Sequence, residues 1–221
     1  MWGGINMAFL FDWHTFEADE YTTDTKDGSV VVLGKRQYLA IEDSGSDKDE
    51  AFIENAKNMY LIADYLTKAP ENGVEIAGFK NYVHYPLNVN KKVMADGTIK
   101  YWMLMKHPNF MPEEAVYQAI NNLKDQLTVD PERIKFIHFE EGTEAQIGNV
   151  GEIENNSAVQ NKLKEYINSI PFEAEEDDGW HRELYLDNVT TTPREQWRTI
   201  LRQKVKAATS DAFENVTTIR N

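Results

Sequence analysis

"GWHRELYLDN", Gly179 to Asn188, decides how the rest of this sequence is read. It carries strand formers between a glycine and a polar turn, and side chains along a strand alternate between two faces. Trp180, Arg182, Leu184 and Leu186 share one face, and His181, Glu183, Tyr185 and Asp187 share the other. The first face reads as the wall of a core. The second is an ionisable stripe with a carboxylate at its centre, and such a stripe belongs on a sheet face left uncovered. One covered and one free face is the mark of helices packed on one side of an antiparallel sheet.

The flanking chain supports that layout. Val30 to Ile41 reads as a strand. "AFIENAKNMYLIADYLTKA" places Phe52, Ala56, Met59, Tyr60, Ala63 and Leu66 at helical spacing, with Asp47 or Asp49 as its cap. Lys80 to Leu87 and Ile99 to His107 read as strands, with "NVNKKVMADG" as the loop between them. Pro112 opens a helix running to Leu127. "RIKFIHFEEG" and "TEAQIGNVG" read as two strands joined at Glu141-Gly142. A helix follows with Val159, Leu163, Tyr166, Ile167 and Ile170 on one face, then the acidic loop from Glu173 to Asp178, the opening strand, and a last strand in "EQWRTILRQKV". The order strand, acidic Gly-containing turn, helix, strand, strand thus occurs twice. The expected fold is α+β: two β-α-β-β repeats related by a pseudo-two-fold, an antiparallel sheet with helices on one face, and a concave ligand cleft. Residues 1–28 are expected as an arm docked by aromatic rings, 29–206 as the domain, and 207–221 as a tail.

Composition narrows the function. The chain has 221 residues, 41% hydrophobic, enough for a sizeable core. Its formal net charge is −14, which repels phosphate backbones and argues against a nucleic-acid partner. It has no cysteine, so disulfides, thiolate catalysis and cysteine-ligated zinc are excluded. No run approaches the roughly 20 apolar residues of a membrane span, and the N-terminus lacks the basic stretch and cleavage site of a signal peptide. A cytoplasmic location is expected. His14, His84, His107, His138 and His181 show no HxH or HExxH spacing, so no metal site is expected; no Gly-rich phosphate loop or serine-elbow motif is present, and no cofactor is expected. Arg194, Arg198, Arg202, Lys204 and Lys206 read as a charged outer face.

Pro86-Leu87 after a strand, "LMKHPNFMPEE" (Leu104 to Glu114), "FEEG" (Phe139 to Gly142), "HRELYLDN" (His181 to Asn188) and "TILRQKV" (Thr199 to Val205) together span most of residues 30 to 206. In this ordered set the chain resembles the GyrI-like small-molecule-binding domains, which also serve as effector-binding domains of transcription regulators. It looks most like standalone members without a DNA-binding part. The resemblance implies a concave aromatic cleft with a ligand-facing glutamate on a late strand, which is Glu183. Tyr185 follows the family spacing, and Tyr101 stands where the family usually has tryptophan. Some standalone members are similar to hydrolases that open strained cyclopropane rings.

On that footing the expected ligand-binding residues are Glu183 for charge, Tyr185, Tyr101, Tyr85 and Met103 for the walls, and His181 to orient the glutamate. An ionised carboxylate among rings suits a flat cation, with cation–π attraction of about 0.5–2 kcal/mol. The expected function is binding of amphipathic aromatic, cationic small molecules, for sequestration or sensing. One alternative is a cofactor-free hydrolase of electrophilic molecules in which Glu183 activates water and Tyr185 supports the leaving oxygen. Asn88 stands where the family often carries an acid, which weighs toward binding. The other alternative is a gyrase-inhibitor type of protein-interaction module.

Overall fold

The computed structural model describes residues 9–21, 27–153, 157–175, 179–214 and 217–218. In chain order the elements are β1 (Leu10–Phe11), α1 (Trp13–Phe16), β2 (Ser29–Ser44), α2 (Glu50–Thr67), β3 (Asn81–Tyr82), β4 (Leu87–Val93), β5 (Ile99–His107), α3 (Glu113–Leu123), β6 (Ile134–Val150), α4 (Ser157–Ser169), β7 (Phe172–Ala174), β8 (Trp180–Tyr185), β9 (Arg198–Ala207) and β10 (Thr217–Thr218).

The two repeats are β2-α2-β4-β5 and β6-α4-β8-β9, with α3 between them. Equivalent strands of the two repeats pair with each other: β2 with β6, and β4 with β8. That is what a pseudo-two-fold requires. The pairings also close on themselves. β2 joins β5, β5 joins β4, β4 joins β8, β8 joins β9, β9 joins β6, and β6 returns to β2, every pair antiparallel. The sheet is therefore a six-stranded barrel, and closure removes the exposed edges of an open sheet.

Three local readings of the sequence give way here. "NVNKKV" is not a loop but most of β4, threaded between β5 and β8. Its low strand propensity is overridden by pairing on both sides. The strand expected over 80–87 shrinks to Asn81–Tyr82, because Pro86 carries no N–H for a ladder and restricts Tyr85 before it. The two strands expected around Glu141-Gly142 form one continuous strand, β6, in a single register with β2 from Ile134↔Ile41 to Gln146↔Ser29. Gly142 sits mid-strand at φ 84°. That left-handed residue shifts the alternation, so Glu141 and Glu144, three apart, both reach Arg182.

The helices cover the outside of the barrel. α2 and α3 press Phe52, Ala56, Met59, Ala63, Val116 and Ala119 onto Leu39, Ile41, Val89, Met103 and Met105 of the outer wall. α4 lays Val159, Leu163 and Ile167 on Ala145, Ile147 and Leu201. The arm enters one mouth of the barrel. Trp13 and Tyr21 pack on Tyr85, Leu184 and Ile200, and the Trp13 Nε1–H donates to the His84 carbonyl at 2.8 Å. Among the described residues, no helix is long and apolar enough to cross a membrane, and no group of three side chains is arranged to hold a metal ion.

Candidate ligand-binding site

The barrel lumen is charged. Arg36 from β2, Arg182 from β8 and Arg202 from β9 meet Glu141 and Glu144 from β6 and Glu20 from the arm, all at least 95% buried. The six alternate in sign around a closed circuit. Glu20 takes both Nη atoms of Arg36 at 2.5 and 2.7 Å. Arg36 faces Glu141 at 3.7 Å, and Glu141 accepts from Arg182. Arg182 reaches Glu144 at 3.3 Å, Glu144 lies 3.7 Å from Arg202, and Arg202 returns to Glu20 at 3.6 Å. Burial on its own would raise the Glu20 carboxyl, but hydrogen bonds and charge from Arg36 hold it at about 2. Burial raises Glu144, with Arg182 opposing. Glu144 Oε2 and Glu141 Oε1 have no hydrogen-bond partner.

Above this floor, toward the mouth opposite the arm, lies a cavity of about 290 Å³. Trp102, Phe139 and Trp180 supply aromatic wall, Leu104 and Ile137 aliphatic wall, Glu144, Arg182, Arg202 and Asn90 the polar floor, and His181 and Lys204 complete the lining. The Arg182 guanidinium lies 5.6 Å from the Phe139 ring centre, in cation–π range. The wall opens beside it. β8 pairs with β9 only from Arg182 onward, while β9 from Val205 to Ala207 pairs with β7. Trp180 and His181 thus precede the β8–β9 ladder. A second cavity of about 510 Å³ lies under α4 and shares Trp180, His181 and Arg202 with the first.

The six residues expected at the site are not brought together around this cavity. The alternation read along β8 is right, but its two faces are exchanged. Trp180, Arg182 and Leu184 point into the lumen. Glu183, Tyr185, Tyr101 and Met103 lie on the outer wall, each no more than 1% exposed, beneath α2. His181 alone of the six lines the cavity. Tyr85 sits at the opposite mouth, beside the arm. The physical reason is closure: with helices outside, the uncovered face of the sheet becomes the inside of a barrel, and charges there are accommodated by pairing across it.

On the outer wall Glu183 is fully engaged. Oε2 takes the Tyr185 hydroxyl at 2.6 Å and Lys91 Nζ at 2.8 Å, and Oε1 lies 3.0 Å from His181 Nε2. Burial pushes its carboxyl up, but Lys91 and His181 outweigh that and hold it at about 2. Lys91 lies 3.6 Å from Asp47, which Arg194 holds at 3.2 Å. A file of paired charges therefore runs inside the wall from Arg194 to His181. Tyr101 accepts from Asn55 Nδ2 at 3.0 Å, with its hydroxyl pushed up to about 12 chiefly by burial.

The residues sequence reasoning missed are Glu144, Arg182, Arg202, Trp102, Phe139 and Trp180. The alternation alone reads Trp180 and Arg182 as the wall of a core, and Arg202 as part of an outer basic face. The signal that points inward is Arg182 itself. An arginine in the middle of an otherwise apolar face is rarely a core residue unless a carboxylate waits for it.

No family model matches the chain, and no curated protein matches its sequence. Solved structures do match its fold. A hydrolase from Listeria innocua superposes with a TM-score of 0.76 at 20% identity, over 89% of this chain and 100% of that one. A hydrolase encoded by lin2189 from Listeria innocua gives 0.78 at 19% identity, over 90% and 100%. The C-terminal domain of EcmrR gives 0.48 at 10% identity, over 82% and 98%. The Listeria likenesses show that the two-repeat α+β fold is shared along nearly the whole chain.

Proposed function

We propose that the protein binds planar aromatic cations in the barrel cavity, for sequestration or sensing. The observation that supports this most is Glu144: a carboxylate 2% exposed, with an oxygen lacking a hydrogen-bond partner, at the base of an aromatic-walled cavity. That oxygen faces the Arg202 guanidinium at 3.7 Å, beyond hydrogen-bond reach; a ligand cation there supplies the missing hydrogen bond, and its rings lie against Trp102, Phe139 and Trp180. The arginines of the floor are matched by Glu20, Glu141 and Glu144, so they do not leave an excess positive charge inside the circuit. The net charge of −14 draws cations toward the protein. Ligand pockets of a few hundred Å³ with few polar groups and mostly apolar walls are the usual form of a small-molecule site.

Fluorescence titration with proflavine, a planar cation, tests this reading. Wild type is expected to saturate, and Glu144→Gln and Trp102→Ala to weaken binding by tenfold or more. Glu183→Gln is expected to bind like wild type. Loss of binding in Glu183→Gln with retention in Glu144→Gln moves the counter-ion to the outer wall and overturns the reading.

A second reading is hydrolysis of an electrophilic small molecule. The observation favouring it is the His181–Glu183 pair beside the shared opening of the two cavities. Glu183 is positioned to fix the His181 ring, as a carboxylate orients a general base. His181 then takes a proton from water, the water oxygen bonds to the electrophilic carbon, and the strained bond that breaks leaves its electron pair on the ligand. The Listeria proteins of like fold are described as hydrolases. A water adduct seen by mass spectrometry with wild type and not with His181→Ala establishes this reading, and intact ligand in both excludes it.

A further inference from the structure

The mouth of the barrel that the arm closes carries a third concavity, of about 610 Å³. It exists because β1 pairs in parallel with β3, Phe11 opposite Tyr82, which lays the arm along the segment before β4. Six rings wall it: Phe9, Phe11, Phe16, Tyr82, Tyr85 and Phe110. Phe11 and Phe16 stack at 5.2 Å, Phe9 and Phe16 meet at 5.5 Å, and Tyr82 and Phe110 at 5.9 Å. Phe9 and Phe16 are 60% and 55% exposed, an unusual display of aromatic surface.

Its polar groups are lopsided. The one carboxylate, Glu17, is already committed: Lys106 Nζ meets its two oxygens at 3.1 and 3.0 Å, and the Tyr85 hydroxyl reaches it at 3.3 Å. Three donors remain. The Tyr82 hydroxyl is buried with no hydrogen-bond partner. Lys80 and Asn109 are exposed at the rim, and neither makes an ion pair or side-chain hydrogen bond among the described residues. A buried hydroxyl without a partner is costly, and a ligand acceptor satisfies it. Stacking walls with a surplus of donors and one unmatched ammonium ask for a flat ring bearing an anionic acceptor.

We propose that this cleft is a second ligand site, taking small aromatic carboxylates, with Lys80 and the Tyr82 hydroxyl as carboxylate donors. The site stands independently of the lumen cavity: it draws on the arm and the β3 region, and shares no lining residue with that cavity. The concavity with its charged floor favours a small molecule over a flat protein contact.

The test is isothermal titration of the full chain with 2-naphthoate, 2-naphthylmethanol and 2-naphthylmethylammonium. 2-Naphthoate is expected to bind tighter than the neutral alcohol, with affinity falling as salt rises. Lys80→Gln is expected to weaken 2-naphthoate two- to fivefold, and Phe16→Ser to weaken both naphthoate and alcohol. Tyr82→Phe gives the sharper result: naphthoate binding falls three- to tenfold while the melting temperature rises, because the free protein loses an unpartnered buried hydroxyl. A purely structural tyrosine does not move the two in opposite directions. Equal affinity for acid and alcohol overturns the proposal, as does naphthoate binding unchanged in both Lys80→Gln and Tyr82→Phe. Loss of naphthoate binding in Glu144→Gln places the ligand in the lumen and also overturns it. So does dimerisation of wild type, abolished in Phe16→Ser, with no naphthoate bound, since a second copy then covers the rings.

Discussion

The inner and outer walls of the barrel are made by the same strands and have opposite chemistry. The outer wall is an apolar core between sheet and helices, with Leu39, Val89, Met103 and Met105 all 0% exposed. The inner wall holds three arginines and three glutamates in a ring, with an aromatic cavity above. Apolar packing fills space in any direction. A ring of directional charges does not, and it leaves an open volume of about 290 Å³ above it. The helix-covered apolar core sits outside, and the cavity proposed for recognition inside.

The largest test of this contrast is a pair of variants. Phe52→Ala on the outer wall and Arg182→Met on the inner are each expected to cost about 3–5 kcal/mol at pH 7, the first by a cavity and the second by removing the nearest cation from both Glu141 and Glu144, which keep only Arg36 and Arg202 at 3.7 Å. Denaturant unfolding at several pH values separates them: the Arg182→Met loss shrinks in acid as those glutamates take up protons, and the Phe52→Ala loss does not. Equal losses at every pH break the distinction.

Glu183 sharpens it, as a charge on the apolar side. Its folded pKa of about 2 lies below the ordinary 4.5. Its stabilisation is therefore complete above about pH 4.5 and is lost as pH falls toward 2. Glu183→Gln should cost about 3 kcal/mol at pH 7 and almost nothing near pH 2. Glu20, also at about 2, adds to the same acid window from inside the ring.

His107 is a smaller test on the outer side. It is buried with neither ring nitrogen hydrogen-bonded, and burial lowers it to about 3. Protonation in the unfolded chain therefore weakens the fold as pH drops below 6.5, and the loss continues toward 3. His107→Leu should stabilise by about 2 kcal/mol more at pH 5 than at pH 8. His84, which adds to the lowering, is unaltered in this variant. The smallest expected effect on stability is Trp102→Ala in the cavity wall, within about 1 kcal/mol, since its ring is already partly exposed. A larger loss would make the cavity wall part of the core.

The repeat order and the strand of the opening quotation were legible because hydrophobic periodicity reports which elements form. Closure was not, since no local pattern says that β6 returns to β2. That one pairing decides which side of every strand is enclosed. Glu183 and Arg182 are neighbours with equal claims to be the buried charge, and alternation separates them without saying which lies inside. β4 was hidden for a related reason: "NVNKKV" is a strand only because β5 and β8 flank it. Glu144 needed the phase shift at Gly142, a backbone property that composition does not carry.

The charged ring also bears on how the chain folds. Its members lie at positions 20, 36, 141, 144, 182 and 202, so every repeat and the arm must be in place before the circuit can close. Such distant contacts cost loop entropy before they return anything, which slows folding. Half the chain would lose the two contacts that close the circuit between the halves, Arg36–Glu141 and Arg202–Glu20. The two repeats are thus bound into one cooperative unit, and neither is expected to fold without the other.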